Sequence, residues 1–154
     1  MRRDARRVVG VGAVLLLVGM GLSGCEALFD SAVTVQNGDV VFHYCYPMTG
    51  NVVKVLGVPP GHYHGYPTLW RATADSLVPV DQTINFGSPL AGFNAPTGTV
   101  DLSDKYRQLD VVIQRVKGTV LEDDRESFFE VSKISSKYWL RADGSQRDTP
   151  CDKS

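Results

Sequence analysis

Val33-Thr34-Val35-Gln36-Asn37-Gly38-Asp39-Val40-Val41-Phe42-His43-Tyr44-Cys45-Tyr46 sets an Asn-Gly pair between two runs of β-branched and aromatic residues. Asn-Gly favours a type I′ turn, whose twist matches that of paired strands, so residues 33–36 and 39–46 are expected to form a hairpin. In the second run Val40, Phe42, Tyr44 and Tyr46 share one face, and Val41, His43 and Cys45 share the other. Both faces are largely apolar, which predicts a central strand with Cys45 directed at the core.

Beyond the hairpin, residues 51–58 (NVVKVLGV) read as a strand closed by Pro59-Pro60, and residues 68–72 (TLWRA) as another. In residues 78–86 (VPVDQTINF) Val78, Val80, Gln82, Ile84 and Phe86 alternate with Pro79, Asp81, Thr83 and Asn85. That is the pattern of a half-buried strand with one wet face, with Pro79 at an edge. Residues 87–98 (GSPLAGFNAPTG) read as a long loop, and residues 99–102 and 106–117 as strands. Within the latter, Leu109, Val111 and Ile113 alternate with Asp110, Val112 and Gln114. Residues 122–125 read as an acidic turn. Residues 126–134 and 137–142 read as a last strand pair around Ser135-Ser136, and Asp143-Gly144 ends the series. The helical period is weak except in residues 101–109, where Ser103 could cap a single turn.

About seven or eight strands at this spacing predict an all-β fold, a single antiparallel β-sandwich. By analogy of pattern the expected topology is immunoglobulin-like, with a small β-barrel as the alternative. That family's Cys–Trp–Cys spacing is missing: Trp70 follows Cys45, but Cys151 lies far off in the tail. The chain of 154 residues is 43% hydrophobic and 21% charged, with 15 Gly and 8 Pro, which excludes collagen, a coiled coil and a wholly disordered tail. A formal charge of −1 gives no basic excess, so nucleic acid is not an expected partner.

Residues 1–24 stand apart from this body. MRRDARR is followed by an uncharged run over residues 8–22 and then Ser23-Gly24, the layout of an export signal. As a helix that run rises about 22 Å, short of the ~30 Å hydrocarbon core. Leu22-Ser23-Gly24-Cys25 resembles the lipobox of bacterial lipoproteins. The resemblance covers residues 1–25 only. It implies that Cys25 takes a diacylglycerol thioether, becomes the mature N-terminus and carries two or three acyl chains, palmitate among them, anchored extracytoplasmically in the bacterial cell membrane. Residues 25–32 would then be lipidated N-terminus and tether, and residues 33–154 the β-sandwich domain. Loss of residues 1–24 removes four of the 16 Lys+Arg and one of the 17 Asp+Glu, leaving a body of formal charge −4. No polybasic patch assists the anchor.

With Cys25 acylated, Cys45 and Cys151 remain, and one exported pair reads as one disulfide. It would close a loop of about 107 residues and tie the tail to an early strand.

Candidate chemistry concentrates in residues 59–67 (PPGHYHGYP). His62, Tyr63, His64 and Tyr66 are the residue types that binding loops on rigid β-scaffolds use, since they offer area at low entropy cost. His62 and His64, with His43 or a carboxylate as third ligand, would suit zinc or copper, but His-x-His alone is weak and no metal site is assigned. Glu122, Asp123, Asp124 and Glu126 lack the alternating ligands and Gly of a calcium loop. Asp101 and Asp104 flank Leu102-Ser103 as turn caps. The sequence contains no nucleophile elbow, phosphate loop or HExxH motif, so neither catalytic residues nor cofactors are expected. The expected function is a non-catalytic, membrane-anchored lipoprotein that binds a protein or envelope polymer. A metal- or solute-binding lipoprotein using the 59–67 loop is the alternative.

Overall fold

The computed structural model of the protein describes residues 30–61 and 64–152. The expected export signal, Cys25, His62 and Tyr63 lie outside the described residues. Strands β1 (Ser31–Gln36) and β2 (Asp39–Tyr44) form the expected hairpin, with Asn37 at φ 52° and Gly38 at φ 91° in its turn. β1 begins two residues ahead of the sequence reading, so Ser31 and Ala32, expected in a tether, belong to the sheet. The chain then crosses to a second sheet for β3 (Met48–Val58) and β4 (Thr68–Val80), and returns for β5 (Thr83–Asn85). β6 (Thr97–Gly98), β7 (Gln108–Lys117) and β8 (Val120–Glu130) join the second sheet. After a 3₁₀ turn at Val131–Lys133, β9 (Trp139–Arg141) and β10 (Gln146–Arg147) join the first.

Two antiparallel five-stranded sheets result, ordered β10-β9-β1-β2-β5 and β6-β4-β3-β7-β8, and they pack as a β-sandwich, not a closed barrel. The order β1-β2-β5 against β4-β3-β7-β8 matches A-B-E against C′-C-F-G of an immunoglobulin variable-type sandwich. The chain departs from that pattern in adding β9 and β10 beside β1, and in placing β5 before β6. Phe42 stands at the centre of the core. Its ring centroid lies 6.0 Å from Phe129 of the opposite sheet, while Trp70 and Phe86 meet edge to face at 5.0 Å. The Tyr44 hydroxyl donates to the Val80 carbonyl across the sheets, and burial, with Asp81 nearby, pushes its phenol up to about 12.

Several sequence expectations are corrected by this topology. Residues 78–86 are not one strand: Val80 ends β4, Asp81-Gln82 turns the corner, and Thr83 begins β5 in the other sheet. Residues 99–102 are not a strand; the short β6 precedes them. The acidic residues 122–125 are not a turn. They lie on β8, an outer strand of its sheet, and the reversal is made by Gly118 at φ 60°. Charged side chains suit such a strand because they discourage pairing with other chains. Residues 126–134 and 137–142 do not pair with each other: β8 ends in the second sheet, whereas β9 pairs with β1. Asp143-Gly144 does not end the series but turns β9 into β10. No helix forms at residues 101–109, where Asp101 Oδ1 accepts the Ser103 N–H at 3.0 Å and caps a turn.

Cys45 and Cys151 form the disulfide, with Cα atoms 5.7 Å apart and a sequence separation of 106. Cys45 does not point into the core. The core side of β2 is Val40, Phe42 and Tyr44. Cys45 follows the strand half-buried and meets the tail on the outer side, with Val41 and His43.

Candidate functional site

The two ends of the sandwich differ. Asp30, where the described chain begins, accepts the Cys45 N–H at 2.9 Å at one end. β3 starts at that end, and its 11 residues carry the chain roughly 35 Å to Val58. There the 59–67 loop, the segment before β7 and the 3₁₀ turn after β8 converge. Short backbone bonds lace them: Gly57 N–H to the Pro67 carbonyl (3.0 Å), Arg107 N–H to Val58 (2.8 Å) and Val131 N–H to Arg107 (3.0 Å). The Tyr106 ring closes the core at this end by lying on Gly57, where an added Cβ would sit 2.5 Å from the ring. Gly57 is therefore required by close approach.

A cleft of about 380 Å³ opens between these segments. Pro60, Leu102, Tyr106 and Val131 supply apolar lining, and Asp104, Arg107, Glu130 and Ser132 supply polar groups. Glu130 is held by Lys133 at 2.8 Å and accepts from Ser132 Oγ at 3.0 Å. The hydrogen bonds from Lys133 and then Ser132 keep its carboxyl below the ordinary range. Such a cleft can take an apolar group with a charged substituent, oriented by Arg107 and Glu130.

The sequence-predicted loop borders this cleft through Pro60, while His64 is exposed and Tyr66 half-buried. His43 does not join them. It lies on the other sheet, with Nδ1 at 2.8 Å from Thr83 Oγ1 and its ring 6.0 Å from Trp139, and burial lowers its pKa. Among the described residues no group of three His, Cys, Asp or Glu is placed to hold a metal ion.

Sequence reasoning missed a second feature. Asp110, read only as alternating with Leu109 and Val111, is 2% exposed, between Leu56 and Phe128 on neighbouring strands, and its Oδ1 has no hydrogen-bond partner. Burial pushes its pKa up to about 7; Glu126 and Asp124 add to the rise and Lys54 opposes it.

No family model, curated protein or solved structure matches this chain. Its class therefore rests on its own geometry: an all-β sandwich, closed by one disulfide between an early strand's end and the tail.

Proposed function

We propose that this chain is an exported bacterial lipoprotein, anchored through acylated Cys25, whose sandwich acts by contact with a protein or envelope polymer and not by catalysis. One observation carries the reading. The cleft and the 59–67 loop sit at the end opposite the one from which the chain leads back to Cys25. A tether at one end presents the other to whatever lies beyond the membrane. The apolar cleft with charged rim is the surface offered there, and the loop that borders it through Pro60 carries His62, Tyr63, His64 and Tyr66 in its sequence.

The test has two arms. Mass spectrometry of the mature N-terminal peptide should find diacylglycerol and acyl chains on Cys25, and Cys25→Ser should release the protein from membranes. A photo-crosslinking side chain at His64 should enrich one envelope species that the same side chain at Asn85 does not, and Arg107→Glu should abolish the enrichment. Equal, diffuse capture from both positions would remove the contact reading. The cleft volume also lies within the range of small-ligand sites, which favours solute binding as the second reading. For its metal-binding form, one equivalent of zinc or copper lost in His62→Ala/His64→Ala would support it, and no uptake would end it.

A further inference from the structure

We propose that the anchor-side end of the sandwich docks onto the lipid surface, inserting Tyr46, Leu77, Val120 and Leu121 between headgroups. The inference rests on the lipoprotein reading and deepens it. Among the described residues the exposed large hydrophobic side chains are Tyr46 (62%), Leu77 (43%), Val120 (62%), Leu121 (50%) and Phe128 (41%). All but Phe128 lie at one end. Tyr46 sits in the crossing from β2 to β3, next to Cys45, which binds Asp30. Leu77 lies just before Val78, which pairs with Gly50 near the start of β3. Between Thr73–Val52 and Val78–Gly50 the register of β4 slips, so Leu77 belongs to a bulge and not to the regular ladder. Val120 and Leu121 form the tip of the β7–β8 hairpin, paired with Lys117 and Val116. Asn51 binds the Val116 backbone at 2.7 and 2.8 Å, which fixes that tip beside the start of β3.

The occupant follows from where the chain leads. Cys25 is five residues from Asp30, a reach of at most about 18 Å. That is shorter than the roughly 35 Å of β3, so an acylated Cys25 holds this end against the bilayer. A leash alone permits the body to lie on its side. Apolar side chains on three separate segments at the leashed end select an end-on posture. Tyrosine suits the headgroup level, with an apolar ring and a polar tip. Asp75, Asp81 and Glu122 at the same end, on a body of charge −4, oppose attraction to anionic lipid, so the contact is apolar and persists on neutral membranes at high salt.

The test uses the acylated full chain in phosphatidylcholine vesicles carrying a lipid spin-labelled at a shallow acyl position. Tryptophan is placed at the near end (Val120→Trp) or the far end (Asp104→Trp), and the parent's emission is subtracted. The near-end probe should shift to shorter wavelength and be quenched at least about twofold more than the far-end probe. Tyr46→Trp, on a separate segment, gives the same readout if Val120→Trp folds poorly. Vesicle-attached protein whose near-end and far-end probes behave alike would overturn docking while leaving the anchor intact. A bare Cys25 with no vesicle attachment would overturn the lipoprotein reading, and docking with it.

Discussion

The outer faces of the two sheets are made by similar alternating strands, yet they end differently. On the first sheet Ala32, Thr34 and Val41 point away from the core and are nevertheless buried. The chain's own C-terminal region holds itself there. Thr34 Oγ1 donates to the Tyr138 carbonyl (2.9 Å), with that of Ser135 at 3.0 Å. Arg141 meets Asp152 at 2.7 Å, and Cys151 is bonded to Cys45. The second sheet has no such clasp among the described residues. Its outward Asp110 and Val112 are buried among half-exposed neighbours, and Asp110 keeps an unpartnered oxygen. One face is closed covalently; the other is left sensitive to protons.

The largest expected effect comes from breaking the covalent closure. Cys45→Ala/Cys151→Ala should cost about 4–5 kcal/mol of unfolding free energy on chain-entropy grounds, for a separation of 106 residues. Denaturant titration measures it, and limited proteolysis should cut the freed tail. A tail that stays resistant would show that the noncovalent contacts alone close the face.

Next is the proton on the open face. Folded Asp110 keeps its proton to about pH 7, whereas the unfolded chain releases it near 3.8. The folded state thus binds more protons between these values, so this residue's contribution to stability declines as pH rises from about 4 to about 7 and stays lost above. At about 1.4 kcal/mol per unit the decline is on the order of 3–4 kcal/mol. Asp110→Asn should remove it and leave the variant more stable than the parent above pH 7. His43, whose folded pKa is lowered, acts in the opposite sense as pH falls through its range, so the difference between the two proteins' curves is the quantity to read. A flat difference would show that water or Lys54 satisfies the carboxylate.

Much of this contrast was legible locally, and the rest depended on distant segments. Asn37-Gly38 specifies its hairpin because turn chemistry needs no distant partner. Alternation also put Val80, Ile84 and Phe86 on the inward face, though it set the exposed Gln82 there with them. It could not say that a corner at Asp81-Gln82 sends them to different sheets, because period two reports facing and not membership. For β2 the faces of Val40, Phe42 and Tyr44 and of Val41 and His43 were read correctly, but Tyr46 lies exposed beyond the strand, and the second face is covered by the tail and not by the core, which displaced Cys45 from its expected direction. The burial of Asp110 was not legible, because its neighbours Leu56 and Phe128 come from other strands. The cleft was scarcely legible. Of residues 59–67 only Pro60 lines it, and Leu102, Tyr106 and Arg107 became its neighbours only through long-range lacing.

A smaller effect probes the ionic part of the closure. The Arg141 side chain is 8% exposed and Asp152 is 84% exposed, so the pair is unequal. Removing the buried partner leaves only a solvated carboxylate. Removing the exposed one strands a guanidinium whose Nε already lacks a partner. Asp152→Ala should therefore cost about 1–2 kcal/mol, by thermal or chemical unfolding, despite the exposure of the residue removed. Arg141→Leu should cost less than that. The reverse order would show that the tail is held by Arg141's packing and not by its charge.

The smallest effect isolates a single hydroxyl. Thr34→Val keeps the volume of a 4%-exposed side chain and removes the donor to the Tyr138 carbonyl. The expected loss is about 0.5–1 kcal/mol, the net worth of a neutral hydrogen bond plus part of the desolvation of the carbonyl left behind. Stability alone at that size would not separate this cause from a small packing change. Hydrogen exchange does, because the Val35 N–H donates to the Ser135 carbonyl at 3.2 Å, beside the bond removed. If residues 135–138 close the outer face through these bonds, the Val35 amide should exchange faster in Thr34→Val while the Phe42 amide, in the adjacent strand's core stretch, does not change beyond the global loss. Unaltered Val35 protection would mean that the segment is held from its far end, by Cys151 and Arg141, and that the closure of the first sheet acts as one unit and not as separable contacts.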